Sequence, residues 1–395
     1  MELGLSLFRF GVVLLFAFNL RTNLANFSPL IDVMRRDIEI GALAVSVVGF
    51  LPPAAFAAAA FLGQPVTSRF GLSRATQVAV WAVIAGSLFR AVAPDAVFFA
   101  AGTAIALAGA GLGNVLLPVM TREVAGKKVT AMSTANGIVF AIATALPIFM
   151  ALPLASTIGW RGSLAIWALP GVIFLILWRR QQDIWKIREP RIPGDKAWNH
   201  MLRQITSVNA WLTAAVFGVS GFIVYSVFVW FPIFLTEANI VGPTQAATAV
   251  TAFALSGVFI YAFIPLSSWL KVPASVVLAF GFLLFAGFVL AVMFAPSEQL
   301  FWWFVVGGIG PIVFPVVLIS ISRQRRASAS DVGFSSFVQG MGYSLGSVGP
   351  LVTGALYAQS GSATLPMAFL VATAVLGLVL VLFLHHFGDD TRRAL

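Results

Sequence analysis

Arg21 is the single charged residue in the first long apolar segment of the chain, which runs from about Phe10 to Leu30. At the centre of a membrane helix a cation costs roughly 2.5–3.5 kcal/mol on insertion scales, so it is kept mainly where it faces a wet cavity or a partner. No Asp or Glu lies deep in any apolar segment, which leaves Arg21 without an evident internal counter-ion. The chemistry expected of it is capture of a carboxylate or other small planar anion by the two-pronged hydrogen bonds of a guanidinium. Asn19, Asn23 and Asn26 recur at i, i+4 and i+7 and share one face if the segment is a continuous helix. At 100° per residue Arg21 then points about 200° away from Asn19 and Asn23. The asparagines are therefore expected to bond a neighbouring helix rather than line the cavity that Arg21 faces.

Further candidates are uncharged. Asn114, Asn136 and Gln339 stand near glycines inside apolar segments, where an amide either contacts a ligand or hydrogen-bonds one helix to another. Tyr225, Trp230, Tyr261 and Tyr343 carry rings that could stack on, or hydrogen-bond, a planar molecule. Aromatics make up 13% of the chain, so most of them are packing, and Tyr225 and Tyr343 are preferred. Trp230 and the pair Trp302 and Trp303 read as anchors at the membrane interface. The apolar segments hold no Ser/His/Asp set, no HExxH, no phosphate loop and no metal cluster, which argues against an enzyme and against any cofactor.

The elements that must position these residues are membrane spans. The chain is 59% hydrophobic and only 10% charged, where a soluble domain carries about 25% charge. Continuous apolar runs exclude the short alternating segments of a membrane β-barrel. At roughly 20 residues per span the runs give twelve helices, near 9–30, 40–63, 73–92, 96–120, 129–152, 162–180, 207–236, 245–268, 272–294, 298–321, 330–356 and 362–386. The first is too polar for a signal-peptide core and reads as a retained helix. With the N-terminus inside, nineteen of the 24 Lys and Arg fall on the inner side and four on the outer side, at Arg35, Arg36, Arg90 and Arg161. That bias predicts both termini in the cytoplasm of a bacterial-type inner membrane, and explains the positive charge without nucleic acid.

The chain also repeats itself. Gly111, Gly113 and Pro118 in the fourth span match Gly308, Gly310 and Pro315 in the tenth; Asn136-Gly137 before Pro147 matches Gln339-Gly340 before Pro350. The offsets are 197 and 203 residues, close to half the chain. Matching Gly and Pro in two six-helix halves point to a site at the interface of the repeats. The expected domains are a six-helix bundle over 1–180, a cytoplasmic linker over 181–206 and a second bundle over 207–395.

Twelve spans with this repeat resemble the major facilitator superfamily. Its loop motif between spans 2 and 3 survives as Arg69-Phe70-Gly71 and Arg74, with Ser68 at the acidic position. Within it the chain is most similar to the cyanate/2-nitroimidazole transporter branch. The matching residues are Asn19-Leu20-Arg21, Gly113-Asn114 to Pro118, and Gly159-Trp160-Arg161 followed by Trp167 and Trp178. Beyond the linker they are Tyr225 to Trp230-Phe231-Pro232 with Glu237, Gly308 to Phe314-Pro315 and Arg323, and Gln339 through Gly342-Tyr343 to Gly349-Pro350. Thr22 and Ile233 depart from it where that branch often has proline.

The resemblance implies an all-α secondary transporter of two pseudo-symmetric six-helix bundles that works by alternating access on small anions or planar nitro-aromatics, and an anion is the preferred substrate. Arg21 would be the binding cation, with Asn114, Asn136, Tyr225, Gln339 and Tyr343 around it. Arg69, Arg74, Glu123 and Asp331 would form the charge network that closes the inner gate. The acids and histidines all fall in loops, tails or span ends, so uniport, anion exchange or an unconventional proton route is expected, with Glu237 the acid to watch. One chain holds a complete pathway, so a monomer suffices, and its partners are substrate and lipid bilayer. The competing reading is an efflux carrier for drugs or neutral planar amphiphiles, in which Arg21 is structural.

Overall fold

A computed structural model describes residues 2–179, 194–237, 240–322 and 329–387, and among them there is helix but no strand. The helices are α1 (Glu2–Asn19), α2 (Ile31–Met34), α3 (Ala42–Phe70), α4 (Leu72–Ala91), α5 (Ala96–Ala125), α6 (Val129–Ala165) and α7 (Leu169–Arg179). They continue with α8 (Gly194–Arg203), α9 (Val208–Glu237), α10 (Pro243–Trp269), α11 (Ala274–Phe294), α12 (Leu300–Gly307), α13 (Val313–Ser322), α14 (Ala329–Ser360) and α15 (Thr364–Phe387). Helices are what lipid demands, because each backbone N–H and C=O then finds its partner within the segment.

By length and apolarity, nine segments of the described residues can cross a membrane. One of them, Ala131–Arg179, is two passes: Gly159 sits at φ 73°, ψ 164°, a conformation open to glycine, and turns the chain back. The shorter apolar stretch Phe8–Asn19 and the more polar α14 complete the twelve spans. Most of the expected linker lies outside the described residues, and α8 forms its end.

The first span departs from expectation. It is not one helix to residue 30: α1 ends at Asn19, turns follow, and a 3-10 turn runs over Ser28–Leu30. Thr22 Oγ1 donates to Asn19 O at 3.3 Å, the local side-chain bonding by which Thr and Asn compete with helix. The segment nevertheless stays inside, with Leu20 and residues 22–31 all buried.

The repeat has a packing cause. A Cβ on Gly111 in the fourth span would lie 2.7 Å from Ala55 O in the second, and one on Gly308 in the tenth would collide with Phe253 O in the eighth. Equivalent helices of the two halves thus touch backbone to backbone. The second pair works across the halves. The Tyr261 ring of α10 covers Gly137 of α6, and the Phe61 ring of α3 covers Gly340 of α14. Accordingly α3 packs along α14 and α6 along α10.

Within the first half α4 and α5 are closest, and a Cβ on Gly86 would strike Ala106 N. Backbone cannot rotate away, so Gly86→Ala is expected to destabilise by about 1–3 kcal/mol. Gly11→Ala, with nothing within 4 Å, should be neutral or stabilising. Thermal unfolding midpoints of the two purified variants check this.

Candidate substrate site

The break after Asn19 releases Arg21 from helix geometry and sets it among aromatic rings. Its Cζ lies 4.2 Å from the Phe140 ring centre and 5.3 Å from that of Phe56. It is close enough to Tyr225, Tyr261 and Tyr343 to act electrostatically on each hydroxyl. The Tyr343 ring in turn meets Phe56 at 5.4 Å, Phe217 at 4.9 Å and Phe314 at 6.1 Å. The two rings in contact with Arg21 thus come from α3 and α6 of the first half, while the tyrosine hydroxyls that sense its charge belong to α9, α10 and α14 of the second. The Arg21 Nε is buried without a hydrogen-bond partner, and among the described residues Arg21 forms no ion pair.

The structure thus brings Arg21, Tyr225 and Tyr343 together and adds Tyr261, Phe56 and Phe140. Asn114 is half-buried beside Gly113, whose Cβ would strike the Leu20 side chain at the start of the break. Asn136 donates to Thr121 Oγ1 at 2.8 Å, tying α6 to α5, while its Oδ1 is buried unpaired. Gln339 donates along its own helix to Ser335 Oγ at 2.9 Å. No hydrogen bond links these three amides to Arg21 among the described residues. Arg74 and Glu123 are exposed, and neither forms an ion pair among the described residues; the side chains of Arg69 and Asp331 lie outside the described residues.

Two placements read from sequence are corrected. Arg90 is not an outer-loop charge: it is fully buried and donates to Asn23 Oδ1 and, at 3.0 Å, to Asn26 Oδ1. Hydropathy places a residue along a span's axis and says nothing about what a neighbouring span offers it. Trp230 is not an interfacial anchor either, being 1% exposed with its indole N–H donating to Pro350 O at 2.9 Å. The expectation that the asparagines bond a neighbouring helix is met at Asn23 and Asn26 and not at Asn19, and the unbroken helix it assumed is absent. Asn23 and Asn26 bond to α4 through Arg90, and the Asn19 amide is buried with no partner.

Charge gathers at the end of the bundle where α1 gives way to α3. Arg35 pairs with Asp32 at 3.3 Å and with Glu237, the last residue of α9, at 3.0 Å, and Tyr357 of α14 donates to Glu237. Ser28 adds a 2.8 Å bond to Phe228 O, so this end is tied across the halves. Nearby, Trp160 Nε1 and Arg161 Nη1 donate to Asp37 Oδ2 at 2.7 and 2.8 Å. They hold that carboxyl below its ordinary value of 3.8.

Twelve spans in two six-helix bundles are the architecture of a membrane transporter. The chain belongs to the Major Facilitator Superfamily, whose sequence profile matches residues 13–271. It is 26% identical over 380 residues to the 2-nitroimidazole transporter of Escherichia coli (strain K12), covering 94% of this chain and 93% of that protein. An uncharacterized transporter of Bacillus subtilis (strain 168) is likewise 26% identical over 92% of this chain and 90% of its own. The cyanate transport protein CynX of Escherichia coli (strain K12) is 21% identical over 94% and 95%. In fold, the chain is similar to a crystal structure of a D-xylose-proton symporter, with TM-score 0.68 and 17% identity over the whole of both chains.

The Asp37 contacts carry a pH dependence. A carboxyl whose folded value is depressed stabilises above its unfolded value and loses that contribution as pH falls through the folded one. Asp37→Asn is therefore expected to be less stable than wild type at neutral pH, with the gap closing below about pH 4. Unfolding midpoints across an acid titration check it.

Proposed function

We propose that the protein carries a small organic or inorganic anion, cyanate-, nitrate- or carboxylate-like, across a bacterial-type inner membrane by alternating access, with Arg21 as its binding cation. The observation that supports this most is a half-buried guanidinium stacked on Phe56 and Phe140, its Nε unpaired and with no acid paired to it among the described residues. A cation–π contact contributes about 0.5–2 kcal/mol, rising as the site dries, and offsets part of the cost of partial burial. Rings, however, satisfy few of a guanidinium's five N–H donors, and a planar anion accepts two of them at once. The names of two relatives, a 2-nitroimidazole transporter and a cyanate transport protein, favour small solutes of this kind.

Tyr225 and Tyr343 flank the anion, and Asn114, Asn136 and Gln339 reach it as the halves 1–180 and 207–395 rock about the linker 181–206. The positive-inside bias places both termini in the cytoplasm. The Arg35–Glu237–Tyr357 cluster then closes the outer end, while Arg69, Arg74, Glu123 and Asp331 serve the inner one. Among the described residues no Asp, Glu or His is buried, which favours uniport or anion exchange over proton coupling. One chain works alone.

The stacking of Arg21 on Phe140 and Phe56 favours a second reading, an efflux carrier for neutral planar amphiphiles in which Arg21 is structural. A thermal-shift screen separates the two, using wild type, Arg21→Lys and Arg21→Ala against cyanate, nitrate, acetate and 2-nitroimidazole. A ligand at 100 times its Kd stabilises by about 2.7 kcal/mol. Anions are expected to shift wild type strongly, Arg21→Lys weakly, and Arg21→Ala only at far higher ligand concentration, since lysine lacks the planar fork and alanine the charge. Equal shifts of wild type and Arg21→Ala by 2-nitroimidazole, with none from the anions, would install the efflux reading.

A further inference from the structure

Among the described residues Arg90 is the one charged side chain that is buried, and it has no exposed surface. It stands one residue from the end of α4, where a lone cation ordinarily extends its stem toward the interface. Here it turns inward instead. Nη2 donates to the side-chain oxygens of Asn23 and Asn26, and Nη1 makes a long 3.5 Å contact with Asn23 O. Ser87, one turn earlier, donates to the same Asn23 Oδ1 at 3.2 Å. Every one of these acceptors is neutral and belongs to the unwound stretch that begins after Asn19. The donor side has no slack, because a Cβ on Gly102 of α5 would lie 2.6 Å from Arg90 N.

We infer that Arg90 is a positioning residue for Arg21: by gripping Asn23 and Asn26 it fixes the unwound stretch, and so the direction in which Arg21 leaves the backbone. Asn23 is two residues from Arg21, and the planar guanidinium fixes the directions of the two Nη2 hydrogens and of Nη1 together, whereas a single ammonium nitrogen on a flexible stem fixes none of them. The consequence for transport rests on the reading of Arg21 as the substrate cation; the geometric half stands without it.

The test uses two readouts on full-length protein. The chain has no cysteine, so Arg21→Cys makes a single-thiol reporter, with Ser362→Cys in the exposed turn before α15 as the control. Arg90→Lys, or Asn26→Ala should that variant not fold, is expected to change the rate at which a small water-soluble thiol reagent labels position 21 and to leave position 362 unchanged. The second readout is the Kd for cyanate and nitrate by thermal titration. Arg90→Lys should weaken binding by about tenfold or more, as when an outer partner orienting a binding side chain is removed. In the Arg21→Ala background it should add no further loss to the residual binding. An unchanged labelling rate at position 21, or equal losses of affinity in both backgrounds, would overturn the inference and leave Arg90 a packing residue. Wild-type affinity in Arg21→Ala alone would instead sink the substrate assignment, while the labelling result still decides the positioning role.

Discussion

In hydrocarbon, backbone polar groups must be satisfied by the protein itself, and the stretch between α1 and Ser28 is where this chain meets that demand without a helix. Non-helical backbone is tolerated at membrane depth where protein encloses it, and here almost every residue of the stretch is buried. Thr22, Ser87 and Arg90 supply the hydrogen bonds around it, and Ser28 fastens its far end to Phe228 O of α9. The break turns a surface of a span into an inward-facing loop that presents Arg21 to both halves.

The two halves meet through a device used twice. Glycine at 137 and at 340 removes a side chain so that a ring from the opposite bundle, Tyr261 or Phe61, can lie against helix backbone. Both contacts set a ring from one half against the helix backbone of the other. They depend on shape and dispersion, which fall away within an ångström or so of separation. The α4–α5 contact differs, since Gly86 there meets the main chain of its neighbour and the two helices stay together.

Charge is divided in the same way. The ion pairs of Arg35 and Arg161 are partly exposed, where a single pair contributes roughly 0–1 kcal/mol. Such pairs can break and re-form during a transport cycle. The two arginines inside the bundle have no acid to pair with among the described residues. Arg90 meets fixed amides, whereas Arg21 meets rings and keeps its Nε unpaired.

The sequence by itself determined the all-helical class, the twelve spans, the family and Arg21 as the residue to ask about. Each is local: twenty apolar residues or one misplaced charge can be recognised without knowing any neighbour. The repeat of Gly and Pro even marked the helices that touch, because a missing side chain records a close approach. The tertiary structure alone decided which ring covers which glycine, that Phe56, Phe140 and Tyr261 join Tyr225 and Tyr343 at Arg21, and that Arg90 lies inside rather than in a loop. Periodicity misjudged the first span because it assumes an unbroken helix, and Thr22 and the asparagines end that helix in favour of side-chain bonds. Which face of a span turns inward, and what it meets there, depends on partners up to 200 residues away in sequence, and no local pattern carries that information.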